Sequence, residues 1–243
     1  MVQHKFILII SFLLYISVSI CLLGCQQKSD PHVVSHEINT KKQIIQMHWK
    51  DKNEEGYENF NHLKDALAKE GKNLIFAMNG GMFNKDQSPT GLYIENGEIL
   101  SKLDTQTQGY GNFYIQPNGI FYLTKDKKAK ICKTTDFRPS TDILFATQSG
   151  PMLLINGKIH KALTKGSKNI HIRNGVGLLP NGNLVFGISK QKINFYDFAS
   201  FFKDLGCQNA LYLDGFVSKM YLPAKNWTDL GGEFGVIIAE HED

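Results

Sequence analysis

The chain has 243 residues and a formal net charge of +4, from 27 basic and 23 acidic side chains. Its basic residues are spread singly, apart from segment 125–133, which is typical of a solvated hairpin, so the charge pattern indicates no nucleic-acid partner. No cysteine or histidine spacing typical of zinc ligands occurs, which argues against a structural zinc site.

The first residues have the features of an export signal. A short basic head precedes the apolar run 6–23, and Gly24 stands immediately before Cys25. This arrangement fits signal-peptide cleavage and lipid attachment at the cysteine. We therefore predict a signal peptide over 1–24, a lipidated cysteine and polar tether over 25–34, and a lipid-anchored protein on the periplasmic or extracellular face of the cell envelope. The alternative is a permanent transmembrane anchor, since about 18 apolar residues can span a bilayer.

The rest of the chain, residues 35–243, is predicted to form one domain. No second linker interrupts it, and a domain of this length can bury a sizeable core. Cys132 and Cys207 remain in an oxidising compartment, where they could form a disulfide. Their spacing alone leaves two free buried thiols as the alternative.

Asn-Gly pairs recur between apolar runs along the chain. They are Asn96-Gly97, Asn118-Gly119, Asn156-Gly157 and Asn181-Gly182. Both residue types tolerate the positive φ angles of tight hairpin turns, and the flanking apolar residues suit half-buried strands. Each pair therefore predicts a β-hairpin.

Two segments carry apolar residues at the three- and four-residue spacing of amphipathic helices. The first spans about 57–70, and the second spans about 195–205 with Asn194 as its N-terminal cap. Gly71 and Gly206 are expected to end them. The predicted buried residues are Phe60, Leu63, Ala66 and Leu67 in the first helix, and Phe195, Phe198, Ala199 and Phe202 in the second. Together with the hairpins, these helices predict an α/β (α+β) domain with a mixed, hairpin-rich sheet.

Each predicted helix is followed by an apolar strand that ends in a polar residue and a glycine. The first strand ends in Asn79-Gly80, and the second ends in Asp214-Gly215. In sheets with helical crossovers, ligands gather beyond the carboxyl ends of the strands. Asn79 and Asp214 are therefore candidate site residues, and the alternative is that both only make Asx turns.

Further polar segments rich in glycine lie between those two strand ends. Glycines such as Gly80, Gly81 and Gly150 allow the backbone to approach a ligand and turn amides toward an anion. Arg173 is one of two arginines, and its planar guanidinium suits bidentate phosphate recognition. The alternative for it is a weak surface ion pair. His171 is a candidate proton shuttle, although a lone histidine beside an arginine is more often structural.

Four motifs in this order resemble the phosphodiester glycosidase family, to which the lysosomal uncovering enzyme belongs. They are Asn79-Gly80-Gly81-Met82-Phe83, Ser149-Gly150-Pro151, Arg173-Asn174-Gly175-Val176-Gly177 and Leu213-Asp214-Gly215. The resemblance covers about residues 74–239. It implies an α/β fold with an extensive mixed sheet, and hydrolysis of the bond between a sugar's anomeric carbon and a phosphodiester oxygen.

Asn79, Gly80, Ser149, Arg173 and Asp214 fall on motif positions of the family that the chain resembles. We predict that Asp214, Arg173 and Asn79 are catalytic. The predicted substrate-binding residues are Gly80, Gly81, Ser149, Gly150 and His171. Family members commonly continue the last motif as Asp-Gly-Gly-Gly-Ser, whereas this chain places Phe216 and Val217 at the second and third glycine. This departure bears on substrate choice and on activity.

A phosphodiester departs more readily than a sugar alkoxide, so charge stabilisation is expected to dominate catalysis. Arg173, Ser149 and the amides near Gly80-Gly81 would hold the phosphate. Asp214 would position or deprotonate water, or stabilise the oxocarbenium-like sugar. Asn79 would orient sugar hydroxyls or the phosphate. The expected partners are a sugar phosphodiester or envelope glycan, and the membrane through the lipid anchor. No cofactor is implied, and a divalent cation is not indicated.

Two other functions fit the same residues. One is a lipoprotein that captures envelope glycans or sugar phosphates without cleaving them, since a fold does not guarantee an activity. The other is a metal-dependent phosphodiesterase, although no His/Asp cluster with metal-ligand spacing occurs in the sequence. The products separate hydrolysis at carbon from hydrolysis at phosphorus, since only the former releases a reducing sugar and a phosphomonoester.

Overall fold

The computed structural model describes residues 30–214 and 216–243. The predicted signal peptide, the lipid-attachment residue Cys25 and the first part of the tether lie outside these ranges. Among the described residues, no helix has both the length and the apolar character that a bilayer crossing requires. The domain limits given above stay a prediction.

Short strands make up most of the regular structure. In chain order they are β1 (Val33–Ile38), β2 (Ile44–His48), β3 (Asn73–Asn79), β4 (Tyr93–Glu95), β5 (Glu98–Ser101), β6 (Gly119–Thr124), β7 (Ala129–Lys133), β8 (Ile143–Ser149), β9 (Met152–Ile155), β10 (Lys158–Ile159), β11 (Asn174–Leu178), β12 (Leu184–Ser189), β13 (Asn209–Tyr212), β14 (Met220–Leu222), β15 (Trp227–Thr228) and β16 (Ile237–Glu242). The α-helices are α1 (Phe60–Lys69) and α2 (Phe195–Asp204).

The strands form three sheets. Sheet 1 has the order β1-β12-β11-β13-β9-β10, sheet 2 the order β15-β14-β3-β16-β2, and sheet 3 the order β5-β4-β8-β6-β7. The α+β class is confirmed. Where one mixed sheet was expected, all strand pairs between the described residues are antiparallel. Short connections join antiparallel neighbours, whereas a parallel pair needs a long crossover.

Three of the four predicted Asn-Gly hairpins are confirmed. Asn96 and Gly97 have φ angles of 51° and 86° between β4 and β5, and Asn156 and Gly157 have φ angles of 49° and 74° between β9 and β10. Left-handed backbone at both residues is what a tight type I′ turn requires. The turn between β11 and β12 is longer, with Gly182 at a φ of 84°.

The hairpin predicted at Asn118-Gly119 is wrong. Gly119 begins β6 and pairs with Lys133 on one side and Ser149 on the other. A Cβ at Gly119 would collide with the Met152 side chain, so the glycine allows close packing. The turn of this hairpin lies after Thr124 instead, in the lysine-rich segment that was expected to be solvated.

Both predicted helices are confirmed, with a later start for the first. The Asn59 side chain accepts a hydrogen bond of 2.9 Å from the His62 amide, so α1 begins at Phe60. Asn194 caps α2 in the same way, as predicted. The predicted apolar faces are buried except for Ala66, which is partly exposed.

The main core lies where the three sheets meet. The ring of Phe186, from sheet 1, lies 5.1 Å from the ring of Phe76 in sheet 2 and 6.1 Å from the ring of Phe121 in sheet 3. All three side chains are fully buried. Burial of each ring stabilises the fold by roughly 1.5–3 kcal/mol. Helix α2 packs on sheet 1 through a second cluster, and helix α1 packs on sheet 2 through a third.

The two cysteines of the domain are free thiols, so the disulfide alternative is not what the structure shows. Cys207 is buried in the cluster between α2 and sheet 1, whereas Cys132 packs against a separate cluster on sheet 3. Burial raises the pKa of the Cys207 thiol to about 12 and that of Cys132 to about 11. Both thiols are therefore protonated at neutral pH.

Candidate functional site

The two polar residues predicted at strand ends lie in contact. Asn79 ends β3 in sheet 2, and Asp214 follows β13 in sheet 1. The Asn79 Nδ2 atom donates a hydrogen bond to Asp214 Oδ2. Asp214 also makes the Asx-type contacts of the alternative interpretation, because its Oδ1 accepts from the amides of Phe216 at 2.8 Å and Val217 at 3.3 Å. Asp214 therefore makes an Asx turn and is also in contact with the other candidate site residue, Asn79.

A buried amide network fixes the orientation of Asn79. Its Oδ1 accepts from Asn174 Nδ2 at 2.8 Å and from the Lys219 amide at 2.8 Å, and its Nδ2 also donates to the Val217 carbonyl at 3.1 Å. Asn79 and Asn174 are both fully buried. Only a carboxamide supplies both the acceptor and the donors that these contacts need. The Asn79 donor is therefore directed at the Asp214 carboxylate.

Asn174 is a site residue that the sequence analysis did not single out. It begins β11 and donates from Nδ2 to both the carbonyl and the Oδ1 of Asn79, at 3.0 and 2.8 Å. The Ser218 hydroxyl approaches Asn174 Oδ1 at 3.4 Å. The available signal was the position of Asn174 next to Arg173 in the third motif.

A cavity of ≈ 860 Å³ opens beside Asp214. Among the described residues that line it, the ionisable ones are Asp214, Glu233, Lys85, His171 and Tyr110. Two of the predicted site residues, Asp214 and His171, therefore face this space. His171 is half-buried, and its backbone pairs with Ile193. The volume lies in the range of small-molecule sites, about 300–1,000 Å³.

Arg173 lies behind the cavity wall. The residue is 0% exposed, its Nε donates to the Ile193 carbonyl at 2.8 Å, and its Nη2 donates to the Asn169 carbonyl at 2.8 Å. Its guanidinium carbon lies 3.5 Å from the centre of the Phe195 ring. Since Asn169 lines the cavity, Arg173 supports the wall from inside.

The alternative of a surface ion pair does not apply to Arg173, because the residue is fully buried. Burial lowers the pKa of Arg173 below its usual range, but an arginine stays charged in proteins. Burial also raises the pKa of the neighbouring Tyr212, while the charge of Arg173 opposes that rise. The Arg173 guanidinium and the Tyr212 hydroxyl therefore interact within this buried part of the structure.

The other predicted substrate-binding residues are not among the described residues that line the cavity. The buried Ser149 hydroxyl donates to the Leu213 carbonyl at 3.1 Å, directly before Asp214. The Gly80 amide donates to the Val236 carbonyl at 2.8 Å. Added Cβ atoms at the remaining two glycines would collide with Thr147, at Gly81, and with Asn118, at Gly150. These contacts are all within the protein, and direct phosphate contact by these residues stays a prediction.

Within residues 30–214 and 216–243, no group of three or more His, Cys, Asp or Glu side chains is arranged to hold a metal ion. The site therefore consists of a carboxylate, a buried amide network behind it, a buried guanidinium and a cavity with mixed charges. Hydrogen-bond donors directed at a carboxylate at a cavity wall suit acid–base or charge-stabilising chemistry.

Comparisons with known proteins show similarities in sequence and in fold. A family model described as phosphodiester glycosidase matches residues 72–234. The uncharacterized protein YigE of Escherichia coli strain K12 is 40% identical over 197 residues, which cover 80% of this chain and 76% of that protein. The family match includes the strands and strand ends that carry Asn79, Ser149, Arg173 and Asp214.

Solved structures share the fold at low sequence identity. The catalytic domain of zebrafish N-acetylglucosamine-1-phosphodiester alpha-N-acetylglucosaminidase, auto-inhibited by its pro-peptide, matches with a TM-score of 0.59 and 15% identity, over 90% of this chain and 86% of that one. A protein from Burkholderia pseudomallei K96243 described as exported matches with a TM-score of 0.57 and 10% identity, over 86% of this chain and 73% of that one.

Proposed function

The chain belongs to the phosphodiester glycosidase family, and we propose that it hydrolyses the bond between the anomeric carbon of a sugar and an oxygen of a phosphodiester. The observation that carries the proposal is the Asp214 carboxylate, which lines a large cavity and accepts a hydrogen bond from the buried amide of Asn79. The name of the zebrafish relative makes N-acetylglucosamine the first sugar to test.

In the proposed reaction, the oxygen of water bonds to the anomeric carbon. The bond from that carbon to the phosphodiester oxygen breaks, and its electron pair goes to the phosphate. The products are a reducing sugar and a phosphomonoester, and the proton lost by water passes to solvent or to the phosphate, either directly or through Asp214. A phosphate leaving group needs less protonation than a sugar alkoxide, so groups that stabilise charge contribute most.

Asp214 is the proposed catalytic carboxylate. It accepts the proton from the attacking water or stabilises the positive charge that develops on the sugar. Asn79 is a positioning residue, because its amide holds Asp214 Oδ2 while Asn174 holds the amide. This chain of contacts fixes the carboxylate before substrate binds, which is the condition for effective electrostatic catalysis.

Arg173 is proposed to act on the phosphate through its field. The guanidinium is buried, donates to the Asn169 carbonyl, and is separated from the cavity by Asn169. A charge in a buried position is screened less than one on the surface, so it favours an anion in the adjacent cavity. Lys85 and His171, which line the cavity, are the proposed direct contacts of the phosphate.

We also propose that the protein is exported and anchored by lipid at Cys25. Support comes from the basic head, the apolar run and the Gly24-Cys25 pair, and from the structural neighbour described as exported. Metabolic labelling with a radioactive fatty acid tests the anchor. Label is expected on the protein expressed from the wild-type sequence and lost in the Cys25→Ala variant.

The decisive experiment follows the products of the methyl diester of N-acetylglucosamine 1-phosphate. The wild-type protein is expected to release N-acetylglucosamine and methyl phosphate. Asp214→Asn is expected to lower kcat by about 10²–10⁴-fold, the usual contribution of a positioned acid–base group. Glu233→Gln is the matched control, since it removes a second carboxylate from the same cavity wall. Loss of activity in the control with full activity in Asp214→Asn would reassign the catalytic group.

The same assay addresses the other candidate functions. Phe216 and Val217, which replace flexible glycines of the family motif, favour a protein that binds the sugar phosphate without cleaving it. That protein would bind the diester in calorimetry and release no product. Release of N-acetylglucosamine 1-phosphate and methanol would instead indicate cleavage at phosphorus.

A further inference from the structure

Two exposed aromatic side chains line the cavity that contains Asp214. The Phe216 side chain is 87% exposed, and the Tyr110 side chain is fully exposed. Burial of a phenyl ring is worth roughly 1.5–3 kcal/mol, so leaving two aromatic residues in water at one concave site needs a reason. Binding pockets commonly combine aromatic walls with a few fixed polar groups.

The backbone of Phe216 is tied to the proposed catalytic carboxylate. Its amide donates to Asp214 Oδ1 at 2.8 Å, so the ring and the carboxylate are held in one local unit. The aromatic ring is therefore placed beside the proposed reacting group.

Tyr110 belongs to an exposed loop that hydrogen bonds at Asp104 hold in place. The Asp104 amide donates to Oε1 of the buried Gln148 at 3.0 Å, and Gln148 Nε2 donates to the Asp104 carbonyl at 2.7 Å. The Tyr114 hydroxyl donates to Asp104 Oδ2 at 3.0 Å. These bonds connect the loop to the end of β8, so Tyr110 is presented to the cavity from sheet 3.

The rest of the lining suits a saccharide. Side-chain amides of Asn84, Gln87, Asn112 and Asn169 border the same space. Amides pair with hydroxyl groups as both donors and acceptors, while an aromatic face packs against the C–H face of a sugar ring. The cavity of ≈ 860 Å³ lies near the upper end of the usual range for ligand sites, which exceeds the need of one ring.

We propose that Tyr110 and Phe216 are specificity-determining residues that bind a further sugar ring beyond the groups joined by the scissile bond. The preferred substrate is then a phosphodiester whose acceptor is an oligosaccharide, rather than methanol or a single sugar. This inference rests on the proposed function, because it assigns the acceptor side of the same reaction.

The test compares three diesters of N-acetylglucosamine 1-phosphate, with methanol, glucose and maltotriose as acceptors. For the wild-type protein, KM is expected to be about tenfold lower for the maltotriose diester than for the methyl diester, since each stacked aromatic adds up to about a factor of ten. Phe216→Ala and Tyr110→Ala are each expected to reduce that ratio, and the double variant is expected to remove it. Phe216→Trp should retain it.

Leu100→Ala is the control, because Leu100 is an exposed hydrophobic residue on the β4–β5 hairpin outside the cavity lining. It is expected to keep the wild-type ratio. A double variant that hydrolyses all three diesters with the wild-type ratio would overturn the aromatic subsite while leaving the proposed function intact.

Failure of the proposed function has a different signature. Calorimetry on the Asp214→Asn variant measures affinity for the maltotriose diester without turnover. When the proposed function fails but the subsite is present, the wild-type protein hydrolyses none of the diesters and still binds the maltotriose diester about tenfold more tightly than the methyl diester. If Phe216→Ala then removes this preference, the result supports the aromatic subsite and contradicts the proposed hydrolase function. Equal affinity for both diesters overturns the subsite.

Discussion

Changing Asn79 to aspartate should destabilise the protein far more than the same change at the other end of the same strand. Asn79 and Asn73 are the last and first residues of β3, and each donates from Nδ2 to a carboxylate. Asn79 is fully buried against Asp214, whereas Asn73 is exposed and contacts Glu242. Asn79→Asp and Asn73→Asp therefore create the same pair of like charges in two different environments.

The expected magnitudes follow from Coulomb's law. At a separation of about 4 Å, two carboxylates repel by about 4 kcal/mol at an effective dielectric of about 20, and by about 1 kcal/mol in water. The buried substitution also removes the donor of the Val217 carbonyl, which accepts from Asn79 Nδ2 at 3.1 Å. We expect the free energy of unfolding at pH 7 to fall by about 4 kcal/mol in Asn79→Asp and by at most about 1 kcal/mol in Asn73→Asp.

The loss in Asn79→Asp should depend on pH. Repulsion of about 4 kcal/mol raises the pKa of one carboxyl group of the folded pair by about three units, from about 4 to about 7. Below about pH 4 this carboxyl is protonated in both the folded and the unfolded state, and its proton lets the introduced side chain donate to Asp214 as the Asn79 amide does. Stability is thus restored below about pH 4 and lost as pH rises toward about 7.

Urea unfolding at several pH values measures both variants against the wild type. Equal losses in the two variants at pH 7 would show that the contact between Asn79 and Asp214 is not shielded from water. A loss in Asn79→Asp that stays constant between about pH 4 and about pH 7 would refute the coupled titration.

Three further predictions concern buried groups. Burial lowers the pKa of His48 to about 4, so the neutral imidazole contributes up to about 3 kcal/mol to stability above about pH 6.5, and this contribution is lost as pH falls toward 4. In urea unfolding, the stability of His48→Gln should depend less steeply on pH than that of the wild type. Equal dependence on pH in the two proteins would contradict this. Because burial keeps both thiols protonated, alkylation at about pH 8 should label Cys132 and Cys207 only after the protein is unfolded. Mass spectrometry of their peptides measures the labelling. If neither cysteine is labelled after unfolding, the two form a disulfide. Gly177→Ala places a Cβ 2.6 Å from the Phe202 ring and should cost about 1–3 kcal/mol in urea unfolding. Gly182→Ala meets open space at a φ of 84° and should cost about 1 kcal/mol, so a larger loss there would contradict the packing argument.

Local signals in the sequence were sufficient for the helices and for most hairpins. Asn194 caps α2 by accepting from the Asp197 amide, and Asn96-Gly97 adopts the turn that its two residues favour. The pair Asn118-Gly119 consists of the same two residue types, yet it does not form a hairpin turn. Gly119 instead begins a central strand, which pairs with strands on both sides, and it packs against Met152. Contacts distant in sequence decide that case, and no local pattern encodes them.

The sequence marked some residues of the candidate site, but it did not show how they are arranged. The position of Asn79 and Asp214 at strand ends marked both as candidates, but their contact depends on how sheet 1 meets sheet 2. Arg173 was predicted to bind the phosphate because its planar guanidinium suits bidentate recognition. Its burial comes from Phe195 of α2, which packs on the guanidinium and is far away in the sequence.

The four family motifs lie together because residues of each one form hydrogen bonds between two sheets, at junctions that we call seams. Ser149, at the end of β8 in sheet 3, donates to the Leu213 carbonyl that follows β13 of sheet 1. Asn174, at the start of β11 in sheet 1, donates to Asn79 at the end of β3 in sheet 2. Backbone groups at strand ends lack ladder partners and need side chains to satisfy them, so polar residues at these seams stabilise the fold. The same bonds hold Asp214 at the cavity wall, and a substitution that loosens a seam is therefore expected to displace the carboxylate as well.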